Sequence, residues 1–136
     1  MVNGESWKTK LIDGIGSPLQ SGVPSVELAA DQWDTYFQAI ADTSAGALVS
    51  VEVARGSEAR ARTRAPRPLR SIGYRRSEDV VRVDAGGVLE ENVVRFFISG
   101  PRNIRVADGG DGPEILVRDV AGTLTLIRLF NPGATA

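Results

Sequence analysis

Three arginines at alternate positions, Arg60, Arg62 and Arg64, are the residues whose type and spacing most directly suggest a binding function. Alternate side chains of a β-strand project to one face, so these guanidinium groups would lie roughly 7 Å apart along it. Such a row can neutralise phosphates of a nucleic acid, and a tyrosine beside it can stack on a base. The candidate polyanion-binding face comprises Arg60, Arg62, Arg64, Arg67, Arg70, Tyr74, Arg75 and Arg76.

The charge balance of the whole chain supports a second interpretation of this segment. The chain carries 16 basic and 17 acidic residues, so it has no overall positive field to attract polyanions. Residues 55–76 contain eight arginines and one acid, which leaves 8 basic and 16 acidic residues elsewhere. Residues 59–76 therefore form either a nucleic-acid-binding surface or a solvated strand whose arginines pair with acidic neighbours.

The composition argues against most common catalytic chemistry. The chain contains no histidine and no cysteine, which removes thiol nucleophiles, serine–histidine pairs and the usual zinc ligands. The loop at residues 108–113 weakly resembles a calcium loop, but its predicted flanks are strands, so a hairpin connection is favoured. We predict no catalytic, cofactor-binding or metal-binding residues. An enzyme would have to rely on Asp, Glu, Lys, Arg or Tyr.

The length of 136 residues fits one domain. Residues 1–25 mix Gly, Ser and Pro without periodicity, which predicts a flexible leader. Residues 26–132 form the predicted domain, and residues 133–136 a short tail. No apolar run reaches membrane-spanning length and no signal peptide is evident, so we expect a cytoplasmic protein without membrane association.

A helix begins the predicted domain. Trp33, Phe37 and Ile40 recur at positions i, i+4 and i+7 with Tyr36 alongside, which is the spacing of an apolar helical face. The next segment, from Leu48, alternates apolar and polar residues and predicts a half-buried strand.

The rest of the domain reads mainly as strands. Residues 69–74 and 80–85 predict a hairpin around the turn at 75–79, and residues 103–108, 114–119 and 123–130 predict three further strands. Between them, residues 88–101 place apolar side chains at helical spacing before Gly100 and Pro101, which predicts a second short helix. The predicted fold class is therefore α+β: an N-terminal helix and a curled, mostly antiparallel sheet of five to seven strands with a second short helix.

From Trp33 to Pro132 the chain resembles a family of short bacterial proteins known only as a domain of unknown function. The resemblance rests on the motifs "W..YF", "VEVA", "IGY....DVVRV", "GPRNIRVAD" and "ILVRDVAGTLTLIRLFNP". It implies a shared fold and offers no activity that could be transferred to this chain.

Three functional hypotheses follow. The first is a non-catalytic binding or accessory domain that recognises an unidentified macromolecule through a sheet face. The second is a nucleic-acid-binding module that uses residues 59–76. The third is an enzyme without histidine or cysteine chemistry. The sequence indicates nothing about the oligomeric state.

A triple substitution distinguishes the two interpretations of the arginine row. If its arginines are neutralised by acids, single-stranded RNA or DNA binds the wild type no better than the non-specific range of about 10⁻⁴–10⁻⁶ M. Changing Arg60, Arg62 and Arg64 together to Ser then alters stability only modestly, since exposed ion pairs contribute about 0–1 kcal/mol each. Fluorescence anisotropy at two salt concentrations measures the binding. Submicromolar binding with a steep salt dependence that the variant loses would establish a nucleic-acid-binding surface.

Overall fold

The computed structural model describes residues 25–54, 66–86, 93–108 and 111–130. Within these ranges the chain forms eight β-strands and one helical segment, a 3-10 turn that continues into an α-helix. The elements in chain order are β1 (Val26–Glu27), the 3-10 turn (Ala30–Gln32), α1 (Trp33–Thr43), β2 (Leu48–Ala54), β3 (Arg67–Arg75), β4 (Val80–Gly86), β5 (Val93–Ser99), β6 (Pro101–Asp108), β7 (Pro113–Asp119) and β8 (Leu124–Phe130).

The predicted fold class is wrong in its strand count and in its second helix. The described residues contain eight antiparallel strands rather than five to seven, and Val93–Ser99 is strand β5 rather than a helix. Every residue of β5 pairs with β4, from Val93 opposite Gly86 to Ser99 opposite Val80. The β-branched residues of this segment disfavour a helix, and pairing with β4 overrides the helical spacing of its apolar side chains.

Several sequence-based predictions are confirmed. The central hairpin consists of β3 and β4 around a turn at residues 76–79, and β7 and β8 form the predicted terminal hairpin. The strand predicted for residues 59–64 and the predicted leader up to residue 24 lie outside the described residues. No helix in the described part of the chain is long and apolar enough to cross a membrane.

The strands form one sheet in the order β1-β6-β7-β8-β2-β3-β4-β5. Its two halves meet between β2 and β3, where, among the described residues, the pairs Leu48–Pro68 and Val49–Arg67 join them. The Leu69 N–H adds a 2.7 Å hydrogen bond to the carbonyl of Ala47. Beyond this point β3 pairs with β4, so it passes from one half of the sheet to the other.

Gly100 forces the sheet to curl. This single residue links β5, at one end of the strand order, to β6, next to the other end. Its φ angle of 66° is disfavoured for residues with side chains, and a Cβ there would lie 3.0 Å from Cγ1 of Val120. The Gly100 N–H donates to the carbonyl of Asp79 at 2.8 Å, and its own carbonyl accepts from the Val120 N–H at 2.9 Å. The turns of the two hairpins are thereby held at one point.

The hydrophobic core lies between α1 and the face of the sheet that the curl encloses. The predicted helical stripe is confirmed, since Trp33, Phe37 and Ile40 are all buried. The strands contribute mostly aliphatic side chains, namely Val49, Val51, Leu69, Ile72, Val81, Val83, Ala85, Ile98, Ile104, Ile115, Val117, Ile127 and Leu129. Alternation along β4 buries Val81, Val83 and Ala85 and leaves the residues between them on the opposite face of the sheet.

Truncating the helical stripe should destabilise the domain strongly. Phe37 is 0% exposed and Trp33 6% exposed, so changing either to Ala should lower the free energy of unfolding by about 3–5 kcal/mol. Gln38→Ala on the exposed side of α1 is the matched control, with an expected change of about 0.5 kcal/mol or less. Urea denaturation measures all three variants. Equal midpoints for Phe37→Ala and Gln38→Ala would contradict the placement of this stripe in the core.

Candidate functional site

The structure separates the candidate arginines and places the tyrosine among the core residues. Arg60, Arg62 and Arg64 lie outside the described residues. Arg67 begins β3 and is half-buried, whereas Arg70, Arg75 and Arg76 are exposed. The described members of the predicted polyanion-binding face therefore differ in how far they are exposed to solvent.

Tyr74 lies on the side of the sheet that faces α1. Its ring makes an edge-to-face contact with Trp33, with the ring centroids 5.3 Å apart. Its hydroxyl donates a 2.7 Å hydrogen bond to Oδ1 of Asp79. Burial, followed by this hydrogen bond and the nearby negative charge of Asp79, raises the pKa of Tyr74 above its ordinary value. Arg76 also turns towards the helix, where Nη2 lies 2.9 Å from Oδ2 of Asp34.

The opposite side of strands β3, β4 and β5 carries a polar surface that we call the outer face. Three cross-strand rows define it, as the strand registers show. The rows are Ser71–Asp84–Arg95, Gly73–Arg82–Phe97 and Arg75–Val80–Ser99. Arg75 is the member of the predicted polyanion-binding face that belongs to these rows of the outer face. Arg70 is exposed at the adjacent β-bulge.

Asp84 is the centre of the outer face. The residue is 7% exposed and accepts two hydrogen bonds from Arg82, Nε to Oδ1 at 3.0 Å and Nη2 to Oδ2 at 2.8 Å. The hydroxyl of Ser71 donates to Oδ2 at 3.1 Å, and Nε of Arg95 lies 3.9 Å from the same oxygen. The carboxylate therefore has close partners on all three strands.

These partners keep Asp84 ionised. Burial by itself would raise the pKa of the carboxyl, but the hydrogen bonds from Arg82 and Ser71 and the charges of Arg82 and Arg95 outweigh it and hold the pKa below its ordinary value. An aspartate with a depressed pKa and two cationic neighbours is a weak base near neutral pH. Its chemical role is to orient the arginines.

Arg82 and Phe97 form a pair that is ordered by Asp84. The two-bond contact with Asp84 fixes the guanidinium plane, whose central carbon lies 5.8 Å from the centroid of the Phe97 ring. Phe97 is nevertheless 60% exposed, a large fraction for an aromatic side chain. The pair thus combines a fixed cation with an accessible aromatic ring.

A concavity lies beside this pair because Gly73 has no side chain. It has a volume of about 340 Å³ and is lined by residues 71–75 of β3 and by Arg82. A Cβ built on Gly73 would meet no atom within 4 Å, so the space opens outwards. Its lining residues include two arginines, Arg75 and Arg82, and Ser71. This combination can receive a carboxylate or another anionic group.

A second polar cluster lies on the other half of the sheet. Arg128 of β8 sits between two carboxylates, with Nη1 3.5 Å from Oε2 of Glu52 and Nε 3.9 Å from Oε2 of Glu114. All three side chains are at most 18% exposed. Next to them lies a small apolar cluster of Ala54, Ala107, Leu116, Leu124 and Leu126. The triad ties β2, β7 and β8 together across the sheet.

Metal binding is not indicated by the described ranges. They contain no group of three or more Asp or Glu side chains positioned to hold a metal ion. The loop at residues 108–113 connects β6 and β7, as predicted, although residues 109 and 110 are outside the described ranges.

Sequence reasoning missed the charged and aromatic residues of the outer face other than Arg75, for different reasons. Arg82 and Asp84 alternate within a correctly predicted strand, so their common face could have been identified. Arg95 and Phe97 were assigned to a helix, where they would not have faced β4. The signal in the sequence that favours a strand is composition, since five of the seven residues at 93–99 are β-branched or aromatic apolar residues.

The described residues define a class by their fold and site: a small antiparallel β-sheet protein with a packed helix and an arginine-bearing outer face. The chain matches the family described as "Family of unknown function (DUF5335)" over residues 25–136, and it belongs to that family. The predicted membership of a family of unknown function is therefore confirmed. Neither the comparison with curated proteins nor the comparison with solved structures gave a match.

Replacing Asp84 should weaken the domain in a pH-dependent way. Asp84→Asn keeps the shape of the side chain but removes the charge that pairs with Arg82, so the free energy of unfolding should fall by about 1–3 kcal/mol at pH 7. Because folding depresses the pKa of Asp84, its contribution is complete above the ordinary value of 3.8 and disappears as the pH falls through the folded-state pKa.

Urea denaturation of the wild type and the variant at several pH values measures this difference. Asp111→Asn, at an exposed position, is the control and should change the free energy of unfolding by about 0.5 kcal/mol or less. A loss of stability in Asp84→Asn that persists unchanged well below pH 3.8 would contradict the conclusion that Asp84 is ionised in the folded protein.

Proposed function

We propose that this chain is a non-catalytic binding domain whose outer face recognises another protein through an acidic side chain beside an apolar one. The observation that carries this proposal is the Arg82–Phe97 pair, an exposed aromatic ring beside a cation that a buried aspartate holds in place.

We also propose that the protein acts in the cytoplasm, since small secreted domains commonly depend on disulfides and this sequence has no cysteine.

Pre-ordering of Arg82 supports a binding role. A long side chain that is ordered only on association loses rotational freedom, and this loss reduces affinity. Its contact with Asp84 removes much of that cost before any partner arrives. Arginine and aromatic residues are also the types that dominate binding energy at protein interfaces.

The Gly73 concavity supports the proposed partner chemistry. Its volume of about 340 Å³ can receive a side chain, and its lining residues include Arg75 and Arg82. Arg82 is already paired closely with Asp84, at 2.8 Å. Arg75 is 64% exposed, and its contact with the exposed Glu78 is long, at 4.0 Å. A carboxylate of the partner that enters the concavity would therefore gain most of its electrostatic attraction from Arg75. A neighbouring apolar residue of the partner could cover Phe97.

The two alternative functions fit the outer face less well. Nucleic-acid binding would need several unobstructed cations and a stacking ring, yet Tyr74 packs against Trp33 and Arg76 pairs with Asp34. A catalytic role would need a group poised to exchange protons, yet the buried carboxylate of this face is held ionised by arginines. Nucleic-acid binding is one of the outcomes that the following experiment distinguishes.

A photo-crosslinking residue in the concavity tests the proposal in cells that naturally make the protein. Gly73 can be replaced by p-benzoylphenylalanine, because a Cβ there meets no atom within 4 Å and its backbone is not in the left-handed region. The same substitution at Arg102, an exposed residue of β6, is the control. We expect a protease-sensitive adduct at position 73 that is absent at position 102 and is lost when Arg75→Glu is added.

The nature of the adduct separates the hypotheses. A nuclease-sensitive adduct at position 73 would replace the proposal with nucleic-acid binding. Identical adducts at positions 73 and 102, or none at position 73, would contradict recognition by the outer face. An adduct of exactly two copies of this chain reports self-association and does not count as a partner.

A further inference from the structure

Strand β5 forms an edge of the sheet whose regularity suits pairing with another strand. In the described part of the chain it pairs with β4 alone, through seven consecutive residue pairs without a register shift. An edge strand presents a row of backbone N–H and C=O groups on its outer side. Such a strand can extend the sheet by pairing with a strand of another molecule.

The opposite edge of the sheet is short and irregular, whereas the edge formed by β5 is regular and carries one charged residue, Arg95. There β1 covers only two residues, and its neighbour β6 starts with Pro101 and has a register shift between Pro101 and Asn103. Short strands, prolines and bulges are the features by which natural sheets avoid edge-to-edge association. The seven residues of β5 contain no Pro, no Gly and no bulge, and are rich in β-branched and aromatic residues.

We propose that two copies of this chain associate through antiparallel pairing of their β5 strands, centred on Phe96, so that Arg95 of each copy faces Phe97 of the other. The inference goes beyond the proposed function and does not depend on it, because it uses the backbone edge of β5 and the self-complementarity of its sequence. It identifies the partner as a second copy of this chain.

Backbone geometry limits the registers that the two strands can adopt. Along an edge strand only alternate residues direct their N–H and C=O groups outwards, so facing residues of two antiparallel copies must both be odd-numbered or both even-numbered. A symmetric pair is therefore centred on a residue. The registers that retain most of the strand are centred on Arg95, Phe96 or Phe97.

The side chains favour the register centred on Phe96. This register pairs all seven residues, with Val93 opposite Ser99, Val94 opposite Ile98 and two Arg95–Phe97 pairs. Centring on Arg95 would place two like charges directly opposite each other, which is destabilising. Centring on Phe97 would pair only residues 95–99 and would place Arg95 opposite Ser99. Only the first register matches each cation with an aromatic ring.

The pairing would continue the rows of the outer face from one copy into the next. The row Gly73–Arg82–Phe97 of one copy would be followed by Arg95–Asp84–Ser71 of the other. The Phe97 ring would then lie between Arg82 of its own chain and Arg95 of the second copy, and cation–aromatic contacts are favourable at both. Arg95 would stay beside Asp84, which is 3.9 Å away within its own chain, so its charge remains compensated.

A disulfide experiment tests both the association and its register, because the natural chain has no cysteine. The variants R95C and F97C each add one thiol on the outer face, where Arg95 is 39% exposed at the side chain and Phe97 60% exposed. Facing Cα atoms in an antiparallel pair are about 4.5–5.5 Å apart, within the range for a disulfide. Residues at the same position in the two copies would be diagonal neighbours at roughly 7–8 Å, too far apart for a ready bond.

One of the two variants, R95C or F97C, is labelled with ¹⁵N. Equal amounts of both variants are then mixed and oxidised, and mass spectrometry counts the linked dimers. Random collision would give heterodimers as half of the linked product. We expect the R95C–F97C heterodimer to exceed both homodimers combined severalfold. R102C, on the exposed part of β6, gives the background rate of random oxidation. Dominant R95C homodimers or dominant F97C homodimers would overturn the register, and yields equal to the R102C background would overturn the association.

Sedimentation of the unmodified protein gives an independent measurement. We expect a reversible monomer–dimer equilibrium in the micromolar range, because a two-strand edge contact buries less surface than a permanent interface. The variant F97K places a lysine opposite Arg95 of the other copy and should shift the equilibrium towards monomer by at least about tenfold in the dissociation constant, the change expected when an attraction becomes a like-charge pair. R102K is the matched control. A wild type that stays monomeric throughout this range would overturn the proposal.

Discussion

The one-residue connection at Gly100 is the constraint on which the rest of the architecture depends. It joins a strand at one end of the sheet to a strand beside the other end, so the sheet has to curl around a common core. Its N–H and carbonyl groups contact Asp79 and Val120, which lie in the turns of the two hairpins. The positive φ angle and the 3.0 Å approach of Val120 explain why a glycine occupies this point. The curl turns one face of β3, β4 and β5 towards α1 and leaves the outer face towards solvent.

A single carboxylate then organises that outer face. Asp84 is buried enough to lose much of its hydration, and it is stable as an anion because Arg82, Ser71 and Arg95 contribute hydrogen bonds and positive charge. Its negative charge in turn orders Arg82 beside the exposed ring of Phe97. The same interactions that make Asp84 a good organiser make it a poor proton acceptor. This property of Asp84 is the reason why we propose recognition, and not catalysis, as the role of this face.

Strand β5 connects the two proposals. Its side chains contribute Arg95 and Phe97 to the outer face, while its backbone forms the edge through which a second copy is proposed to bind. A dimer of this kind would join two outer faces into one surface of six strands, with a Gly73 concavity in each half. A binding domain gains from such an arrangement, because two linked sites hold a two-site partner longer than one site does.

The sequence by itself determined the local elements: the apolar stripe of α1, the β3–β4 and β7–β8 hairpins and the family membership. These features depend on periodicity and turn residues within short segments, which single-sequence reasoning reads well. Only the tertiary structure decided that residues 93–99 form a strand, because their pairing partner β4 overrides an ambiguous helical spacing. It also decided that Tyr74 faces Trp33 and that Asp84 contacts arginines of two strands. Those positions follow from strand register and from the side of the sheet that the helix covers, and neither is encoded within one segment.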